Sequence, residues 1–87
     1  MNAHDETRLR DMLDEARLAV RFMVGKTLED LDQDQLLQHG VVRALEIIGE
    51  AAARITQETQ TQCPQIPWKN IIGMRNRVVH DYTGVDI

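Results

Sequence analysis

Cysteine is almost missing from this chain: Cys63 stands alone, so no internal disulfide can form. One thiol and three scattered histidines also give no structural zinc site, and a lone thiol suits a reducing compartment. Long apolar runs are missing as well. Nothing approaches the ~20 consecutive apolar residues that cross a bilayer. Met1 to Arg10 is polar and charged, unlike the core of a signal peptide. A cytoplasmic protein with no membrane partner is expected. The net charge of −4 lacks the broad basic footprint that tight, non-specific nucleic-acid binding requires. That charge is unevenly spread. Residues 1–68 hold 7 basic and 12 acidic side chains, and residues 69–87 hold 3 and 2, so the balance turns from −5 to +1. A local positive patch can therefore sit on an acidic body.

Strand-like alternation, internal repeats and low-complexity tracts are absent too, which leaves an all-α reading. With 87 residues the chain is expected to be one domain, spanning 1–87. A domain of this size buries only about two-thirds of its unfolded surface, and without disulfide or metal staples it gains from oligomerising.

Leu9, Met12, Leu13, Ala16, Val20 and Met23 recur at three- and four-residue steps. They predict a first helix over roughly 5–24, with Asp5 near its cap and Gly25 as its stop. Thr27 and Asp30 form a weak capping box before a short helical turn. Asp34 can cap a long second helix to about residue 60, lined by Leu37, Val41, Leu45, Ile48, Ala52 and Ile55. Gly40 and Gly49 lie inside it at a cost of about 1 kcal/mol each relative to Ala, which a close approach by another helix would explain. Gln57 to Pro67 is polar and holds both prolines, so it reads as a connecting loop. Pro67 then opens a third helix, with Trp68 packed at its start, Ile71, Ile72, Val78 and Val79 in its apolar line, and Gly84 at its end.

The third helix carries an unusual density of polar groups: Arg75-Asn76-Arg77-Val78-Val79-His80-Asp81-Tyr82. At about 100° per residue, Asn76 and His80 share a face and Arg75 and Tyr82 nearly eclipse, while Arg75 and His80 stand about 140° apart. These residue types suit RNA cleavage without a metal. A ribose 2′-hydroxyl must lose a proton as it attacks phosphorus, and the leaving 5′-oxygen must gain one. Histidine, with an unperturbed pKa of about 6.5, can serve either step. The charge that builds on the phosphoryl oxygens calls for a permanent multidentate cation, which arginine supplies. Asn76 can orient His80 or bind phosphate. The spacing alone is equally met by two solvated arginines and a histidine that closes a helix end. On the second helix, Arg43, Glu46, Glu50 and Arg54 read as a solvated ion-pair ladder, or as support for the site through Glu50 or Arg43.

The stretch Ile66-Pro67-Trp68-Lys69-Asn70-Ile71-Ile72-Gly73-Met74 followed by Arg75 to Tyr82, then Gly84-Val85-Asp86, closely resembles the signature of HepT-like proteins of the HEPN superfamily (higher eukaryotes and prokaryotes nucleotide-binding). The segment Arg43-Ala44-Leu45-Glu46-Ile47-Ile48-Gly49-Glu50-Ala51-Ala52 is similar to theirs as well. This resemblance runs over nearly the whole chain. It implies a HEPN-like helical bundle, here three main helices plus a short one, with the further C-terminal helix of the family missing after Ile87. It also implies a ribonuclease, the toxin of a toxin–antitoxin pair whose antitoxin is a minimal nucleotidyltransferase. The family's Arg-x4-6-His motif falls on Arg75 and His80, its polar residue after the arginine on Asn76, and its AMPylated tyrosine on Tyr82. Arg77, Arg43 and Glu50 are candidate supporting residues. The expected enzyme is a metal-independent RNA endonuclease without a cofactor, acting on RNA as a homodimer in which two copies of His80 share the acid and base roles. The competing readings are a non-catalytic module that binds a nucleotide or nucleotidyltransferase, and a degenerate structural remnant.

Overall fold

The structure, a computed structural model, describes residues 1–83; residues 84–87 and the side chains of Val79, Tyr82 and Thr83 lie outside the description. The described residues form five helices and no strand: α1 (Ala3–Met23), α2 (Leu28–Gln33), α3 (Gln35–Arg54), α4 (Gln57–Gln62) and α5 (Trp68–Thr83). The all-α expectation holds, with three long helices.

Local capping chemistry sets most of the boundaries. Asn2 caps α1, its Oδ1 accepting the Asp5 N–H at 2.7 Å. Gly25 lies just past the helix at φ +74°, a left-handed conformation that L side chains rarely adopt. Thr27 and Asp30 form the reciprocal capping box of α2 at 3.1 and 2.8 Å. Asp34 caps α3 through the Leu37 N–H at 3.1 Å.

Two expectations are corrected. Asp5 stands near the cap of α1 as expected, and its side chain reaches across to overturn both. Its carboxylate, fully shut from solvent, accepts from the Thr56 N–H at 3.2 Å, the Thr56 hydroxyl at 2.5 Å and the Thr59 hydroxyl at 2.6 Å. The same contacts end α3 at Arg54, short of residue 60. Ile55 turns extended, and Thr56 becomes the cap of α4 inside the stretch expected to be loop.

The long helices form a slab of about 40 × 28 × 19 Å, with α3 in the middle, α1 on one flank and α5 on the other. Buried Met12 of α1, Ile48, Ala51 and Ala52 of α3, Ile55 and Trp68 of α5 make the core. The Trp68 indole donates to the carbonyls of Gln60 at 3.2 Å and Cys63 at 3.1 Å, tying α4 to the start of α5. Both glycines of α3 serve close approach, as their cost in a helix suggested. Gly40 faces the Phe22 ring of α1, and Gly49 faces Arg75 of α5. No described helix is long and apolar enough to cross a membrane.

Candidate active site

The residues singled out in the sequence sit on the second half of α5, and α3 forms their floor. Arg75 is half-buried. Its Cβ and Cγ rest directly against the backbone of Gly49, where any side chain would collide with them. Its Nε is buried and has no hydrogen-bond partner among the described residues. The neighbouring Asn76 is also half-buried, and its Oδ1 is likewise enclosed and unpartnered. Buried polar atoms without partners are uncommon in folded proteins, so two on adjacent residues mark an unusual place. His80 is exposed in the last turn of the helix. Tyr82 belongs to that same turn, its side chain outside the described part.

Within one chain, α5 brings Asn76 and His80 to a common face. No hydrogen bond or ion pair joins Arg75, Asn76 and His80 to one another among the described residues. Arg77 is exposed and lines a shallow groove of about 580 Å³ along the outer side of α5, together with Lys69, Asn70, Gly73, Met74, Val78 and Asp81.

The supporting candidates on α3 are placed apart from one another. Arg43 lies on the opposite flank, 3.9 Å from Glu46, and lines an apolar groove of about 660 Å³ between α1 and α3 with Leu18, Phe22 and Leu37. Glu50 is exposed and forms no ion pair with Arg75 among the described residues. No three described His, Cys, Asp or Glu side chains gather as a metal ion would need.

Sequence reasoning missed two features. The contact between Gly49 and Arg75 had only an unlocated signal, a glycine tolerated inside a helix. The buried Asp5–Thr56–Thr59 cluster had none, because its members are distant in sequence and ordinary in type.

A family model described as "Ribonuclease HepT-like" matches residues 12–87, a span that holds both Gly49 and the whole of α5. The chain belongs to this HepT-like family. It is 35% identical over 78 residues to "Putative RNase MJ1380" of Methanocaldococcus jannaschii, which covers 90% of this chain and 72% of that protein. It is 38% identical over 79 residues to "Probable ribonuclease HepT" of Thermococcus cleftensis, covering 91% and 72%. To "Putative RNase TTE0752" of Caldanaerobacter subterraneus it is 37% identical over 78 residues, covering 90% and 70%. No solved structure matches the chain. Against this background, the segment of the HepT-like chain with two enclosed, unpartnered polar atoms is also the segment bearing the Arg-x4-His pattern.

Proposed function

We propose that this HepT-like protein is a metal-independent endoribonuclease, the toxin of a toxin–antitoxin pair with a minimal nucleotidyltransferase as antitoxin. The observation that carries the proposal is the array on α5 within the family-matched span: Arg75 seated on α3, Asn76 beside it, and His80 open to solvent.

The chemistry is a transesterification. A histidine takes the proton of the ribose 2′-hydroxyl as the 2′-oxygen bonds to phosphorus, and the bond to the 5′-oxygen breaks. A second proton donor protonates that oxygen, leaving a 2′,3′-cyclic phosphate and a 5′-hydroxyl. Arg75 binds the phosphoryl oxygens and offsets the charge that grows on them, and Asn76 orients His80 or the phosphate. Each step uses a side chain of the protein, so none calls for a metal.

One chain supplies one histidine to this segment, whereas the reaction needs both an acceptor and a donor. We therefore place two copies of α5 together about a two-fold axis. For the two histidines to serve one phosphate, the helices cross at the level of His80, in the last turn of α5. Two His80 and two Arg75 then border one cleft.

AMP transfer to Tyr82 by the antitoxin would add a phosphate at a position that nearly eclipses Arg75 in helical register, and so compete with RNA phosphate for the arginine. Two measurements test the proposal. The ends of cleaved RNA should be cyclic phosphate and 5′-hydroxyl, and a 5′-phosphate product would refute the chemistry. Intact-mass analysis after incubation with nucleotidyltransferase and ATP should map one AMP to Tyr82, and modification elsewhere would refute the pairing mechanism. A protein that binds nucleotide or nucleotidyltransferase and never cuts RNA would instead be a binding module.

A further inference from the structure

We infer that Gly49 is the positioning residue of Arg75: the bare backbone of α3 at this point sets where the guanidinium stands. The inference rests on the reading of Arg75 as the residue that stabilises phosphoryl charge.

The geometry is specific to this glycine. A Cβ at position 49 would overlap both Cβ and Cγ of Arg75 and would come within 3.5 Å of its Cδ. Non-bonded carbons settle at about 3.5–4.0 Å, so the first two contacts lie far inside the repulsive wall. The remedy cannot be a rotamer change, because the Cβ of Arg75 is fixed by the backbone of α5. Only a displacement of α5 from α3, on the order of 1 Å, would relieve the overlap.

Gly40, on the same helix, makes the opposite case. A Cβ there would meet the Phe22 ring at 3.0 Å, the far end of a side chain that borders an open groove and can turn aside. The two substitutions are chemically identical and differ in what they push.

A second observation says why Arg75 depends on packing. No carboxylate holds it among the described residues, and its Nε is buried without a partner. Its stem is therefore located by contact with α3 and not by an ion pair. That arrangement leaves its terminal nitrogens uncommitted to an acid that would compete with phosphate. An arginine held by shape loses its aim when the shape changes, and a misplacement of about 1 Å can cost on the order of 100-fold in rate.

The test is a cleavage cycle on a single-stranded RNA of mixed sequence, with kcat and KM measured for wild type, Gly49→Ala, Gly40→Ala, Arg75→Ala, Arg75→Gly and Gly49→Ala/Arg75→Gly. We expect Gly49→Ala to lower kcat about 100-fold with little change in KM, and Gly40→Ala to cut like wild type. In the Arg75→Gly background, Gly49→Ala should cost nothing more, since both the overlap and the guanidinium are gone. Wild-type cleavage by Gly49→Ala, with Arg75→Ala inactive, overturns the inference and leaves the ribonuclease reading standing. An equal loss in both backgrounds overturns it too, as that is general damage to the fold. Should Gly49→Ala fail to fold, Arg75→Gly in the same chain removes the overlap and should restore it; failure to restore counts against the contact. If Arg75→Ala cuts normally, the parent reading falls, and the Arg75 Nε–H resonance decides the positioning alone. Gly49→Ala should move that resonance and Gly40→Ala should not; an unmoved resonance overturns the inference.

Discussion

Asp5 shows how one residue can be held by partners that lie 51 and 54 positions away. The Thr56 and Thr59 hydroxyls, then the Thr56 amide and the Arg8 guanidinium, favour its charged form and hold its carboxyl below the ordinary value of 3.8, although burial opposes them. The sign of the pH effect follows. A carboxylate whose folded pKa is depressed adds stability above its unfolded pKa of about 3.9, and that stability is lost as pH falls through the lower folded value. Thermal melts between pH 5 and pH 2 should therefore show a decline that is shallower in Asp5→Asn, which is less stable than wild type at neutral pH. Parallel slopes for the two proteins would mean that Asp5 is not the responsible group. Nothing in the sequence around Asp5 announces this role. Its place near the cap of α1 is legible, but the partners of its carboxylate are not.

Among the elements, those stopped by local chemistry were legible and those stopped by distant contacts were not. Gly25, the Thr27–Asp30 box and the Asp34 cap each act within four residues, so α1, α2 and the start of α3 fall close to expectation. The end of α3 depends on Asp5 holding the Thr56 amide and hydroxyl, which no local pattern records. α4 follows from that same contact, since Thr56 becomes its cap in a stretch whose prolines lie further on. α4 is then fastened to α5 by the Trp68 indole, which donates to two carbonyls. Trp68→Phe keeps most of the apolar contact and deletes the donor. The loss should be about 1–2 kcal/mol, which lowers Tm by roughly 4–8 °C for each kcal/mol in a domain of this size. Calorimetry checks the value. An unchanged Tm would show that the indole contacts add nothing.

The whole molecule is a thin slab in which α3 is covered on both flanks, whereas α5 has its outer side open. The Arg75–His80 pattern was readable because it lies on one helix at fixed spacing. Its seating on Gly49 was not, because spacing along one helix says nothing of what a neighbouring helix presents. The pairing of two α5 helices at His80 predicts a crosslinking test. With Cys63 replaced by serine, His80→Cys should form a disulfide between two chains on mild oxidation. A dimer seen in sedimentation that never forms this crosslink would place the interface elsewhere. The central claim, that α5 cuts RNA through its own side chains, is tested most directly by one assay: cleavage of single-stranded RNA by wild type and His80→Ala, each with and without a chelator. The account predicts that wild type cuts equally well in both conditions and that His80→Ala loses on the order of 10²–10⁴ in rate. Cleavage abolished by the chelator and restored by a divalent ion, or cleavage at wild-type rate by His80→Ala, would contradict it.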